Sequence, residues 1–346
     1  VEINIEIYSS LSEIAGQEYN QLHVNRAGSL FYDWRFLMAA ETSPLLDVIK
    51  TRYLVVRAHG QMLALLPTYL QTLKAVDPFG VLAENAGLHD EGGETILSSH
   101  IMHCFDTTIP CARHALTLHD ALFCRLRELA VELGASYCGL LNVEDPWLVQ
   151  HAGAFGMNVN YMLDRWYAGL TEYRDFDQFV TCLPYSGRSE MRRQIRKFEA
   201  SSATLSMLAP PFDDRLEQLA ALCQETTARH GTPHYFPAGP LARFVRQCGE
   251  LVRLNLIERE GVLIAGMFCF QEPQALHLWS AGMRYDQVSF SPYTLAFANA
   301  YRYAFQQGIP RLEAGRLNAK IKTRLGLQPV RLYTVTSARL LHPSRL

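Results

Sequence analysis

Cationic and acid–base side chains gather in the second half of the chain. Arg188, Arg192 and Arg196 recur every four residues, with Arg193 and Lys197 among them. A helix puts the three on one face and leaves Met191, Ile195 and Phe198 as an opposite, buried stripe. Guanidinium forks match phosphate oxygens, so Arg192 and Arg196 are candidates for holding a phosphate-bearing substrate. A solvated helix paired with Glu190 and Glu199 is the alternative. A second basic group, Arg316, Lys320, Lys322 and Arg324, stands near the end of the chain. It suggests either substrate contact or an ordinary surface helix. Glu313 sits on the strand after the main helix, close to a glycine, in Leu312-Glu313-Ala314-Gly315. It is a candidate base for an amine, which must lose a proton to form an amide. Pairing with Arg311 or Arg316 is its structural alternative.

His230, His234 and Tyr235 share a loop punctuated by Gly231, Pro233 and Pro237. They could shape an acceptor pocket, with His234 a second base that titrates near neutral pH, or they could be plain surface. On the strand around His277, alternation puts His277 and Trp279 on one face and Ser280 on the other. Trp279 there serves core or ligand. His100, His103, Cys104, Cys111 and His114 raise the question of metal. His100 and His103 would converge only on a helix, and no second pair has a standard zinc spacing, so no metal is expected. No nucleophile elbow, P-loop or dinucleotide fingerprint is present, and no covalent Ser or Cys intermediate is indicated. No permanently bound cofactor is expected.

The elements that position these residues come twice. Tyr53–Ala58, a turn at His59-Gly60 and Met62–Pro67 form an apolar hairpin, and Arg253–Glu258, a turn at Gly261 and Val262–Met267 form another. Downstream, a helix ending in Gly134, a strand, a short helix and Gly156 are matched by a helix ending in Gly308, a strand, a short helix and Gly326. The paired glycines are 201, 174 and 170 positions apart. The first copy therefore carries an insertion of roughly 27 residues between hairpin and helix, within 73–110. The predicted order is antiparallel strands, helix, strand, helix, strand: a mixed α/β layer. The helix starts are marked by Asp145-Pro146 and Ser291-Pro292.

Composition sets the outer limits. The chain has 346 residues, 49% hydrophobic and 19% charged, enough for two domains with their own cores. A net charge of −2 exerts no global pull on nucleic acid or anionic lipid, so any anion site must be local. No apolar run approaches the ~20 residues of a spanning helix. Val1–Ile5 alternates like a strand, without a basic start or cleavage site, so no secretory signal is expected. The eight cysteines form no CxxC pair, and Cys124, Cys138, Cys223 and Cys269 sit in apolar stretches as small hydrophobes. This suits a reducing cytoplasm without a disulfide framework.

The segments IEREGVLIAGMFCF, LWSAGMRYDQVSFSPY and EAGRLNAKIKTRLGLQP resemble GNAT-fold acyltransferases. The likeness is to the tandem branch that includes the FemABX-like peptide-bond-forming transferases. PYSGRSEMRRQIRKFEAS is similar to the Arg-rich helix that opens the second repeat there. The resemblance covers 175–336 well and 1–165 more loosely. It implies an α/β (α+β layered) fold of two tandem GNAT-like domains, each a mixed, mostly antiparallel sheet flanked by helices. Residues 1–170 would be a degenerate repeat serving as scaffold and acceptor wall, and 171–346 the active-site repeat.

The resemblance also implies acyl transfer from an activated donor to an amine. The co-substrate would be acyl-CoA, acyl-carrier protein or aminoacyl-tRNA, and the acceptor a small-molecule or amino-acid-like amine. Lys322, four residues before Gly326, matches a family spacing that implies contact with donor or acceptor phosphate. One departure bears on coenzyme A. The turn before the main helix, Arg284 to Tyr293, has no glycine where classical relatives have a Gly-rich pyrophosphate cradle. The helix N-terminus still attracts an anion, and Arg284 and Tyr293 are its candidate contacts. Charged tRNA as donor, and a non-catalytic protein that binds a ligand or partner, are the competing expectations.

Overall fold

The computed structural model describes residues 3–24, 29–99 and 103–340. The chain forms two compact units. One is built from the residues up to 163 plus those from 331 onward; the other spans 164–330. Against the expected division at 170/171, the chain thus leaves the first unit at 163/164 and returns to it at 330/331.

The first unit holds β1 (Asn4–Tyr8), β2 (Lys50–Ala58), β3 (Gln61–Thr72), β4 (Thr95–Ser98) and β5 (Tyr137–Val143), together with most of β12 (Gln328–Thr336). Its sheet order is β1-β2-β3-β4-β5-β12. Neighbours are antiparallel except β4 and β5, which run parallel. Its helices are α1 (Gly16–Val24), α2 (Trp34–Thr42), α3 (Leu73–Val76), α4 (Val81–Ala86), α5 (Leu116–Glu132) and α6 (Pro146–Ala154). The spacing of Leu118, Leu122, Leu126 and Leu129 lays α5 on the sheet, whereas Leu116 opens the helix at 60% exposure. Asp145 caps α6 by accepting from the N–H groups of Trp147 and Leu148, with Pro146 in the first turn. The weakly patterned 73–110 stretch contains α3, α4 and β4.

The second unit repeats the plan. Its strands are β7 (Ala203–Leu208), β8 (Val252–Arg259), β9 (Val262–Glu272), β10 (Ala275–Met283) and β11 (Arg311–Arg316), plus the Asp164–Gly169 end of β6 (Asn158–Gly169). The order is β7-β8-β9-β10-β11-β6, antiparallel except for the parallel pair β10–β11. In both units, then, a meander ends in one parallel pair, and an antiparallel strand closes beyond it. The two hairpin turns also match. His59-Gly60 and Glu260-Gly261 all have positive φ (49°, 78°, 53° and 76°), the backbone that a two-residue turn needs to follow strand twist.

The helices of this unit are α7 (Phe176–Cys182), α8 (Tyr185–Glu199), α9 (Arg215–Arg229), α10 (Ala238–Cys248), α11 (Pro292–Gln307) and α12 (Ala319–Arg324). α11 starts at Ser291, whose hydroxyl accepts from Thr294 N–H, and ends at Gly308 with φ 65°. Its Leu295, Phe297 and Tyr301 share a core with Leu276, Leu278 and Leu312 of the sheet. α9 covers the opposite face closely: a Cβ on Gly282 would lie 2.6 Å from the Leu222 carbonyl carbon. No described helix is long and apolar enough to cross a membrane. The eight cysteines are free thiols; Cys138, Cys223 and Cys269 are buried, but Cys124 is exposed on α5, contrary to its expected role as a small core residue.

Candidate active site

β10 and β11 pair at only two positions, Leu276 with Leu312 and His277 with Glu313. Beyond these the strands part. A bulge falls between Leu278 and Ser280 on β10, and another irregularity between Glu313 and Arg316 on β11. The opening holds a cavity of about 140 Å³ lined by residues of β9, β10, α11, β11 and α12. Trp279, Ser280 and Ala281 come from the bulged strand, Tyr293 and Phe297 from the first turns of α11, and Arg316, Asn318 and Lys322 from the β11–α12 corner.

The bulge corrects the alternation expected for β10. An extra residue on one strand shifts the side-chain phase by one. Trp279 stacks on Phe244 of α10 and meets Phe236 and Phe270 edge-on. Ser280 lies beside Cys223 of α9, so both side chains sit toward the α9–α10 side. Burial pushes the Cys223 thiol up to about 12, and the buried Ser280 Oγ makes no well-formed hydrogen bond.

The β11–α12 corner holds three residues with positive φ, Gly315 (62°), Leu317 (62°) and Asn318 (56°). For Leu317 this backbone is strained, a feature that concentrates at functional sites. The corner wraps Lys322. Its side chain is 2% exposed, and Nζ donates to the carbonyl oxygens of Ala314, Gly315 and Arg316 at 2.6, 3.1 and 2.5 Å. Burial, and then the nearby Arg316 charge, bring its pKa down to about 7. A lysine that is part neutral at physiological pH can accept a proton as well as donate one.

Glu313 is 4% exposed and carries two guanidinium partners, Arg165 at 3.0 Å and Arg311. The Arg311 guanidinium also lies 4.0 Å from the centre of the Tyr167 ring. Glu313 does not line the cavity. His230 and His234 are exposed and also stand outside it, whereas Tyr235 turns inward with its hydroxyl 3.4 Å from Arg316 Nη2. Tyr293 is held beside Asn318, and burial raises its pKa. Arg284 pairs with Glu225 of α9 at 3.0 Å, and Lys320 is exposed on α12. His277 bonds Glu272 at 2.8 Å.

Arg192 and Arg196 line a separate cavity of about 300 Å³ with Asp177, Thr181, Glu199 and Arg302. Arg192 Nη2 reaches Thr181 Oγ1 at 3.3 Å, and Arg302 lies over the Phe176 ring. The structure therefore brings Trp279, Ser280, Tyr293, Arg316 and Lys322 together, with Tyr235 behind Arg316. Arg192 and Arg196 stand apart from them. Arg165 and Asn318 were not singled out from sequence. Asn318 follows Arg316 in a strand-to-helix corner, which is a usable signal; Arg165 meets Glu313 only through the register of β6 with β11, which leaves no local trace.

Residues 186–323 match the family model described as an acetyltransferase (GNAT) domain. Among solved structures, a tandem GNAT protein from the clavulanic acid biosynthesis pathway superposes with a TM-score of 0.56 at 12% identity, covering 97% of this chain and 98% of that one. FemX does so with a TM-score of 0.64 at 11% identity, covering 95% and 96%. The C-terminal domain of a putative lysylphosphatidylglycerol synthetase from Agrobacterium fabrum gives 0.57 at 10% identity, covering 94% and 92%. No curated protein matches by sequence. The fold is the expected one, two tandem GNAT-like domains of mixed, mostly antiparallel sheet, and its second repeat carries the GNAT match.

Proposed function

From a GNAT acetyltransferase domain at 186–323 in a tandem-GNAT fold, we propose that the protein is an N-acyltransferase. It moves an acyl group from a thioester, acyl-CoA or acyl-carrier protein, to the amine of a small acceptor. The observation that carries the proposal is the parting of β10 from β11 around a cavity that contains a buried lysine of pKa about 7. The cavity is small against the roughly 300–1,000 Å³ of a pocket for a whole drug-sized ligand, so it takes only the reacting end of the donor.

In this mechanism the acceptor nitrogen attacks the thioester carbonyl carbon. Backbone N–H groups at the β10 bulge around Trp279 and Ser280 stabilise the oxyanion. The C–S bond breaks as the carbonyl re-forms, and the thiolate leaves. Neutral Lys322 has two N–H groups for the three β11 carbonyls; it turns its lone pair from one of them to the acceptor and takes the proton from nitrogen, and the three carbonyls then receive the resulting ammonium. It then returns the proton to the thiolate. Arg316, steadied by Tyr235, supplies fixed positive charge at the mouth. Glu313 holds β11 in register through Arg165 and Arg311 rather than moving the proton, because its carboxylate is engaged by both guanidinium groups and it lies outside the cavity.

A second reading is favoured by the arginines of α8. Arg192, Arg196 and Arg302 around one cavity suit a phosphate-rich donor such as charged tRNA, transferring an aminoacyl group by the same attack. Thermal shift and product mass, measured with acetyl-CoA, acyl-carrier protein and charged tRNA, test both. Stabilisation and turnover with a thioester, weakened in Arg316→Ala, support the first reading. A response to charged tRNA alone, lost with added salt, supports the second. Silence with all three overturns both in favour of a binding protein.

A further inference from the structure

The first unit carries a Cys–His cluster that the acyl-transfer site does not use. Cys111, His114 and His119 each offer a ligand atom, and these atoms all lie within 4.8 Å of one another. Cys111 and His119 are buried, and the exposed His114 stacks on Trp147 at 4.5 Å between ring centres. His119 Nδ1 lies 2.9 Å from the Ala115 carbonyl oxygen, so Nδ1 carries the proton and donates it. That fixes Nε2 as the atom with the free lone pair. Nε2 is fully buried and has no hydrogen-bond partner. A buried imidazole that has one nitrogen bonded to a backbone carbonyl and the other without a hydrogen-bond partner, in a cluster with a thiol and a second imidazole, has the arrangement of a metal ligand with its orienting bond in place.

We propose that Cys111, His114 and His119 bind a zinc-type transition-metal ion. The donor set, one thiolate and two imidazoles, suits a tetrahedral ion with the fourth position open to water. Four-coordinate zinc with bonds of about 2.0–2.3 Å sets ligand atoms roughly 3.3–3.8 Å apart, so small side-chain rotations close the present spacing. His114 Nε2 lies 3.3 Å from Asp145 Oδ2, which leaves Nδ1 to face the metal and gives that imidazole a carboxylate orienter. Cys111 sits beside β3, bridged to Ala64, and His119 is on α5. The ion would tie the segment before α5 to the helix itself. The motif is Cys-x2-His-x4-His; Cys111 and His114 are legible in the sequence as metal candidates, whereas His119 is concealed on the apolar face of a helix. His100, the first of the metal candidates in the sequence, lies outside the described residues.

The test is Co²⁺ titration of the reduced, chelator-treated full chain, followed by absorption. One equivalent should bind and give visible bands of tetrahedral cobalt and a near-ultraviolet thiolate-to-cobalt band, both displaced by Zn²⁺. Cys111→Ser should lose the thiolate band, and His119→Gln should lose tight binding. Asp145→Asn, which preserves the helix cap, should weaken binding about 10–100-fold. Absence of a thiolate band at one equivalent overturns the proposal, as does wild-type binding no tighter than that of Cys111→Ser/His119→Gln. Because the readout is spectroscopic and the wild type reports by itself, a poorly folding variant does not blunt it.

Discussion

The two units share one plan and differ at its centre. In the first, the parallel pair stays closed. β4 and β5 pair at three positions; Ser99 N–H then donates to Gly139 O, and Thr107 N–H to Asn142 O further along. The Asn142 side chain also ties in Cys104 O at 3.0 Å. In the second unit the equivalent strands part after two pairs, and a cavity occupies the gap. Side chains follow the same division. Four residues before Gly326 stands the buried cation Lys322; four before Gly156 stands the buried Ala152. On the proposed function, the second unit carries the reaction where its strand pairing is interrupted and a buried lysine enters the space, and the first, with its ladder kept, serves as the scaffold.

The largest effect should come from Lys322→Met. Methionine retains the buried stem and removes the amine. If the open pair is the reaction site, kcat falls about 10²–10⁴-fold, the range for loss of a general acid–base group, with KM changed only slightly. Steady-state kinetics with the donor that gives turnover, alongside a melting curve, measures this. An unchanged kcat in a folded variant would remove the functional distinction between the units.

Next is Glu313→Gln. It leaves Arg165, whose side chain is only 7% exposed, and Arg311 without their anion. Breaking one partner out of a buried ion pair costs about 3–5 kcal/mol. Denaturant unfolding should show that loss, whereas residual turnover per folded molecule should fall far less than in Lys322→Met. A larger loss of turnover than of stability would return Glu313 to the proton transfer.

Gly187→Ala sharpens the comparison at the corner. A Cβ there would lie 1.9 Å from the Arg324 carbonyl oxygen, which is backbone and cannot turn aside. α8 and α12 must separate, at a cost of about 1–3 kcal/mol typical of overpacking. Since α12 carries Lys322, activity should fall together with stability. The scaffold's counterpart is Gly139→Ala, whose Cβ would meet Val335 O at 2.1 Å. That variant should lose stability without a specific change in the pH–rate profile.

Much of this plan was legible in the chain. The hairpin turns announce themselves through Gly60 and Gly261 because only a left-handed backbone closes so short a turn, and Ser291-Pro292 and Gly308 bracket α11. β4 was hidden because four residues give too little alternation to see. The face of Ser280 was misread because a bulge breaks the period that sequence reading assumes. The burial of Lys322 was hidden too: α12 is six residues long, and its neighbours Lys320 and Arg324 are exposed, so helical periodicity does not separate the cation that lines the cavity from the two that do not, and only the spacing to Gly326 marks it. The clamp on Glu313 depends on strand register with a residue 148 positions earlier in the chain, Arg165.

pH separates the units more gently. The folded-state pKa of Lys322 is depressed to about 7 from 10.5. Below pH 7 the lysine is protonated in both states and contributes no slope. Between about 7 and 10.5 the folded protein releases the proton first while the unfolded chain retains it, so stability rises with pH, by at most about 1.4 kcal/mol per unit. Urea unfolding from pH 7 to 9 should show that rise in wild type and lose it in Lys322→Met. A slope that persists in the variant would assign it to other groups and leave the lysine charged in the cavity.

The smallest effect belongs to the arginines of α8. Arg192 and Arg196 are exposed, and the charges around their cavity include Asp177 and Glu199 as well as Arg302. Exposed ion pairs contribute only about 0–1 kcal/mol each, and salt screens them. Arg192→Ala/Arg196→Ala should therefore raise KM for a phosphate-bearing substrate by less than about tenfold at low salt, leave kcat alone, and show a smaller salt dependence than wild type. A loss well beyond tenfold would mean that the substrate desolvates these side chains on binding. The site would then extend along α8 as well as between the strands, and the difference between the units would lie in the helix that precedes the second sheet as much as in the interrupted pair within it.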